Sequence, residues 1–129
     1  MDWLFHVVGP IDGLPRLPNV HAWGEIPFVE TVPFVTHAQI ALSPWTPGPN
    51  AQVMSDSLKI IQYTYAGLPI VAPDFVPSLR PNVIPYRPDD PSDIRRALET
   101  ALTFDRSTIS RAGILSWDEL AARIAGDVA

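Results

Sequence analysis

The chain has 129 residues, of which 47% are apolar, so it is long enough for one domain with a hydrophobic core. A formal net charge of -5 argues against a nucleic-acid-binding protein, and the absence of cysteine excludes disulfides and four-thiolate zinc sites. No apolar stretch approaches the roughly 18 residues that cross a bilayer, and Met1–His6 lacks the basic residues of a signal peptide. We therefore predict a cytoplasmic domain without a transmembrane segment; the lack of cysteine fits a reducing compartment but does not require one.

Short apolar runs that end at glycine or proline predict the strands of this domain. They lack a regular polar alternation, which is typical of strands covered on both faces in a parallel sheet. The five predicted strands are Trp3–Val8, Asn19–Trp23, Gln39–Trp45, Pro69–Ala72 and Val83–Tyr86. Between the third strand and the next helix, the proline-rich stretch Pro44–Asn50 predicts a rigid, exposed loop.

The first helical pattern contains a proline. Apolar residues between Ile26 and Ala38 recur at roughly helical spacing, but Pro33 lies in the middle. Proline inside a helix costs about 3 kcal/mol, so we predict a turn followed by a new helix that begins at Pro33.

The second predicted helix runs from about Ser57 to Ala66 and ends at Gly67. Ser55, Asp56 or Ser57 can cap it. Its predicted core stripe consists of Leu58, Ile61, Tyr65 and Leu68.

Two later helices have clear start signals. Asp90–Asp93 combines a capping residue, a proline in the first turn and early negative charge, and Ser116–Glu119 has the pattern of a capping box that opens a last helix to about Ala125. The apolar stripe of the earlier of these helices is Ile94, Ala97, Leu98, Ala101 and Leu102. Strands that alternate with helices predict an α/β, Rossmann-like fold with a parallel sheet and flanking helices.

The start of the second helix is the candidate binding site. Ligands of such sheets bind at the carboxyl ends of the strands, so we expect one edge to carry the loops after Val8, Trp23, Trp45 and Ala72. A helix that begins at this edge offers unpaired N–H groups and a partial positive charge, which suit a phosphate.

Three kinds of side chain in this segment favour a clamp for a diphosphate and a ribose. Lys59 adds a full positive charge in the first turn, and Ser55 and Ser57 add hydroxyl donors. Gln62 lies about one turn later, on the side of Lys59, where it can bind a sugar hydroxyl. The alternative is that Lys59 is a solvated surface lysine and that Ser57 only caps the helix.

The same segment resembles a known donor-binding signature. Ser57–Tyr63, followed by Ala66–Pro73, is similar to the motif of GT-B fold glycosyltransferases, which reads roughly K-x-x-E-Y-x-A-x-G-x-P-V-V-A. Supporting pieces in the same order are Phe5–Gly9, Asn19–Glu25 and Thr36–Trp45. From about Leu4 to about Ile124, the chain most resembles the membrane-associated glucuronosyltransferases of xanthan-type exopolysaccharide biosynthesis.

This resemblance implies the transfer of a sugar, glucuronate in the nearest family, from a UDP-sugar to a lipid-linked or polysaccharide acceptor. The UDP-sugar is then the substrate, and no cofactor or metal is expected. By resemblance, Lys59 and Ser57 hold the diphosphate, and the residues that line the ribose, base or sugar are Gln62, Leu58, Trp45 and Glu25.

The chain also departs from the family pattern. Trp45 stands where the nearest relatives have tyrosine, and Leu58 where they tend to have methionine. The common retaining families carry a glutamate where this chain has Met54. That difference disfavours the retaining pattern with two glutamates and favours the glucuronosyltransferase-like group.

The resemblance covers only part of the donor-binding, C-terminal domain of the fold. The family's catalytic base is an aspartate of the other domain, so we predict no catalytic residue here. We expect residues 1–129 to be one UDP-sugar-binding half-domain: a fragment, a truncated reading frame or a subunit of a split enzyme. Its expected partners are an acceptor-domain chain or a second copy, and the full-length enzyme is expected at the cytoplasmic membrane face. The alternative from another class is a non-catalytic interaction or regulatory module.

Other polar residues carry weaker signals. His6, His21 and His37 lack metal-ligand spacing and are interpreted as structural or surface residues. Arg80 and Arg87 can in principle bind a uronic acid carboxylate, and a surface role is the alternative.

Overall fold

The computed structural model describes residues 2–51 and 57–128, and the chain divides into two compact units, residues 1–38 and residues 39–129. Both units combine parallel strands with helices. This confirms the predicted α/β class, with parallel strands flanked by helices as in a Rossmann-like fold. In the described part of the chain, no helix is long and apolar enough to span a membrane.

The first unit contains two parallel strands and one helix. β1 (Phe5–Val8) pairs with β2 (Val20–Gly24), and α1 (Phe28–His37) follows. β2 ends at Gly24, whose φ of 70° lies in the left-handed region that glycine adopts without steric cost. The strands therefore lie close to the predicted positions, with β1 shorter at its start.

The prediction of a new helix at Pro33 is wrong, because α1 runs through Pro33 without a break. Pro33 removes one hydrogen bond, the one that the carbonyl of Val29 would accept. No residue of α1 is buried, and Val29 is 72% exposed, so water can take the place of the missing donor. Because water pairs with the free carbonyl, a proline inside this exposed helix costs less free energy than a proline inside a buried helix.

Four aromatic rings pack together in the first unit. The ring of His6 lies 5.7 Å from those of His21 and Phe34, and Trp23 lies 5.2 Å from Phe34, all between centroids. The indole N–H of Trp23 donates to Nδ1 of His6 at 3.1 Å. His6 thus serves as a hydrogen-bond acceptor within this cluster.

The second unit is built on a parallel sheet with the order β3-β4-β5. Its strands are β3 (Ala41–Leu42), β4 (Ile70–Pro73) and β5 (Val83–Tyr86). Its helices are α2 (Leu58–Tyr65), α3 (Pro91–Leu102) and α4 (Trp117–Val128), with a short 3-10 helix at Arg106–Thr108. β3 is shorter than the predicted Gln39–Trp45, and the backbone N–H groups of Ala41 and Ser43 donate to β4 and the residue before it.

The central strand β4 is buried along its whole length and forms the middle of the core. In the predicted core stripe, Leu68 is buried and Ile61 half-buried, but the prediction is wrong for Leu58, which is 68% exposed, and Tyr65, which is 60% exposed. Ile60 and Thr64 are buried in their place. These two residues lie four positions apart on the face toward the sheet. A threonine fits this core position because its hydroxyl accepts a hydrogen bond from the buried Asn82.

The two later helices begin as predicted. Asp90 caps α3 and accepts from the backbone N–H groups of Ser92 and Asp93 at 3.0 and 3.3 Å. In the capping box of α4, Ser116 N–H donates to the Glu119 carboxylate at 2.7 Å, and Glu119 N–H donates to the Ser116 hydroxyl at 3.2 Å. α4 continues to Val128, beyond the predicted end at Ala125.

Candidate functional site

The candidate site lies in the second unit, where α2 begins. Because β3 and β4 are parallel, the chain between them must return to the opposite end of the sheet. α2 makes this return and therefore starts at the edge formed by the carboxyl ends of the strands. This is the edge at which ligands of open α/β sheets bind.

Ser57 is the N-cap residue of α2, but its side chain makes no capping hydrogen bond. Its hydroxyl oxygen is buried and has no hydrogen-bond partner among the described residues. Of the three predicted caps, Ser55 and Asp56 lie outside the described residues, and the capping role that the sequence offered Ser57 is not realised by its side chain. Ser57 thus has a buried hydroxyl without a partner among the described residues, next to the first turn of the helix.

Lys59 is exposed in the first turn of α2, and its Nζ atom lies 5.7 Å from the centroid of the Trp45 ring. This distance is within the range of a cation–π contact. A lysine near a helix N-terminus faces the positive end of the helix dipole, which is unfavourable without an anion. The first turn of α2 contains no acidic residue, whereas Glu30, Asp93 and Asp118 occupy that place in α1, α3 and α4.

Trp45 is half-buried just after β3, and a hydrogen bond holds its ring. Its indole N–H donates to the hydroxyl of Ser43 at 3.1 Å, and Ser43 has no exposed surface. Trp45 also lines a cavity of about 270 Å³, slightly below the usual size of a ligand pocket. The other lining residues are Thr46, Gly48, Pro49, Asn50 and Ala51.

The remaining predicted residues are placed as follows. Gln62 is half-buried on α2, three residues after Lys59, and Leu58 is an exposed first residue of the same helix. Glu25 is exposed after Gly24 and belongs to the first unit. Leu58, Lys59 and Gln62 thus lie on α2, with Ser57 as its N-cap, and Trp45 lies beside Lys59.

The groups at the start of α2 have the chemistry that suits an anion. The phenol of Tyr63 is neutral near pH 7 and adds no negative charge to α2; burial raises its pKa further above the ordinary 10.0. Within the described ranges, no group of three or more histidine, cysteine, aspartate or glutamate residues is placed to hold a metal ion. One cation, helix N–H groups and a free hydroxyl suit a phosphate or diphosphate.

Ser43 is the residue that the sequence analysis missed. It belongs to the predicted third strand, where a small polar residue gives no functional signal on its own. The available signal was its spacing, because Ser43 and Trp45 lie two positions apart and so point to the same face of an extended chain.

Comparison with known proteins adds one curated relative. The chain is 28% identical over 125 residues to a UDP-glucuronate:glycolipid 2-beta-glucuronosyltransferase of Xanthomonas campestris pv. campestris. The chain thus resembles a glycosyltransferase along most of its length. The match covers 93% of this chain but only 30% of the relative, so the chain spans less than a third of that protein. No family model matches the chain.

Proposed function

We propose that this chain is the donor-binding part of a glycosyltransferase and that the start of α2 holds the diphosphate of a UDP-sugar. The observation that carries this proposal is the position of Lys59, exposed in the first turn of α2 and beside Trp45. The relative from Xanthomonas campestris pv. campestris supports the ligand class, since its name specifies UDP-glucuronate.

The electrostatics of α2 support a diphosphate in particular. The helix end and Lys59 place positive charge together, and the first turn supplies no carboxylate to balance it. A diphosphate would compensate both charges and would give the buried hydroxyl of Ser57 an acceptor. Gln62, one turn later, is assigned to a ribose hydroxyl.

The chemical contribution of Lys59 and the start of α2 is stabilisation of the leaving group. When the bond between the sugar and the diphosphate breaks, negative charge grows on the diphosphate oxygens. A lysine ammonium and fixed helix N–H groups stabilise that charge more than they stabilise the bound substrate, which lowers the barrier. The proposal extends to the GT-B fold, to glucuronate as the sugar and to the roles of Trp45, Leu58 and Glu25 around the donor.

Calorimetric titration of the full 129-residue chain with UDP tests this proposal. Lys59→Ala should weaken UDP binding by about 1.5–3 kcal/mol, or about 10- to 150-fold, the range for a hydrogen bond to a charged group. Arg95→Ala is the matched control, because it removes an exposed cation from α3 and not from the first turn of α2.

Two outcomes would contradict the proposal. Absence of binding heat at millimolar UDP would remove the donor-binding function and favour a non-catalytic interaction module. Equal affinities for the unmodified chain and Lys59→Ala, with binding intact, would refute the role of Lys59.

A further inference from the structure

Ser43 is a buried polar residue near the candidate site. Its backbone N–H donates to the carbonyl of Val71 at 3.0 Å, which ties it to the central strand, and no part of it is exposed. Its hydroxyl accepts the indole N–H of Trp45 at 3.1 Å. A buried hydroxyl fixed to the sheet is therefore the point to which the Trp45 ring is attached.

The Trp45 ring in turn lies beside the only lysine of the chain. Lys59 has a long side chain with several rotatable bonds, and it is exposed, so little else confines its ammonium. The contact of 5.7 Å between Nζ and the ring centroid favours the rotamers that keep the ammonium over the indole face. Rotation of the ring would change where that face lies.

We infer that Ser43 is a positioning residue: by anchoring the Trp45 indole, it sets the surface on which the Lys59 ammonium rests. The inference rests on the proposed function, in which this ammonium binds a diphosphate. Holding the ammonium in place before the ligand arrives reduces the side-chain ordering that binding would otherwise require. Ser43 itself acts only through Trp45.

The single lysine makes the positioning directly measurable. In a sample with 13C-labelled lysine, the ε-methylene of Lys59 gives one NMR signal, and the nearby indole ring should move its proton shift upfield. Trp45→Leu should return this shift to that of a free lysine side chain. Ser43→Ala and Trp45→Phe, which each remove one partner of the anchoring bond, should give similar, intermediate shifts.

Tyr65→Leu is the control for general changes in α2. Tyr65 lies at the other end of the helix and makes the same kind of contact, with the Arg111 guanidinium 4.8 Å from its ring centroid. This variant should leave the Lys59 signal unchanged. An ε-methylene shift that is the same in Trp45→Leu and in the unmodified chain would overturn the inference.

UDP affinity then tests whether Ser43 acts through Trp45. Ser43→Ala and Trp45→Leu should each weaken UDP binding about two- to fivefold, the range for an exposed cation–π contact. The double variant should bind no more weakly than Trp45→Leu alone, because Ser43 acts through the indole. Full additivity of the two effects would overturn the inference.

If the unmodified chain binds no UDP, the proposed function fails, while the ε-methylene shifts still decide whether Ser43 and Trp45 position Lys59.

Discussion

Asn82, just before β5, connects α2 and the turn after it to the sheet of the second unit. It is 2% exposed, and its amide nitrogen donates to the Thr64 hydroxyl at 3.1 Å and to the Leu68 carbonyl at 3.0 Å. Its own backbone carbonyl accepts from Ile70 N–H at the start of β4. The side chain therefore fixes the end of α2 relative to the sheet that carries the candidate site.

Asn82→Ala should lower the free energy of unfolding by about 1–3 kcal/mol, because it leaves a buried carbonyl and a buried hydroxyl without their donor. Urea denaturation measures this change. Thr64→Val is the matched control: it removes one of the two acceptors with little change in shape and leaves the bond to Leu68 intact. We expect it to destabilise the chain less than Asn82→Ala, and the reverse order would contradict the assigned role of Asn82.

The two ends of α2 differ in whether charged side chains complement the helix dipole. At its C-terminal end, Arg111 donates to the carbonyl of Tyr65 and Arg106 to that of Gly67, both at 2.7 Å. These cations satisfy backbone carbonyls that the helix leaves unpaired and complement the negative end of its dipole. At the N-terminal end, by contrast, the first turn contains no acidic residue to complement the positive end of the dipole.

The start of α3 should make the stability of the chain depend on pH. The Arg96 guanidinium, which donates to Asp93 at 2.6 Å, and the Arg87 N–H lower the pKa of Asp93 from its ordinary 3.8 to about 2. A carboxyl whose pKa is lowered by folding contributes stability above its ordinary pKa and loses it as the pH falls toward the lowered value. The free energy of unfolding should therefore fall between about pH 4 and pH 2.

Asp93→Asn isolates this contribution, because an amide does not titrate. The variant should show a shallower loss of stability over the same pH interval, measured by chemical denaturation at each pH. Some dependence should persist, since hydrogen bonds also lower the pKa of Asp90, Asp105 and Glu119. Identical slopes for the variant and the unmodified chain would show that Asp93 is not responsible.

Elements with local start signals were predictable from sequence, and those decided by packing were not. The N-cap of α3 at Asp90 and the capping box at Ser116 depend on a few adjacent residues, so the sequence alone locates them. The buried face of α2 depends on the hydrogen bond that Thr64 accepts from Asn82. Asn82 lies 18 positions further along the chain. The continuity of α1 through Pro33 depends on exposure, which no local pattern reports.

The candidate site follows the same division. Lys59 and Gln62 lie three positions apart on one helix and so share a face, and Ser57 precedes them as the N-cap, which the sequence spacing alone predicts. The hydrogen bond from Trp45 to Ser43 was not predictable, because it requires the geometry of the chain after β3. Whether these residues bind a donor remains a prediction for the UDP titration.

At the scale of the whole molecule, net charge opposes the proposed ligand. The chain carries a formal charge of -5, and UDP is itself an anion, so the overall field repels it. Attraction must come from the local charge of Lys59 and the start of α2, which act at contact distance. The two contributions differ in range, and salt screens both of them.

Ionic strength should therefore separate the local attraction from the overall repulsion. The Debye length falls from about 30 Å at 0.01 M salt to about 10 Å at 0.1 M. In the unmodified chain, the exposed Lys59 is screened along with the repulsion, so we expect UDP affinity to fall with added salt. In Lys59→Ala only the repulsion and the helix end remain, so the salt dependence should be weaker or reversed. Calorimetric titrations of both chains across this salt range measure the difference, and parallel salt dependences would mean that Lys59 does not supply the attraction.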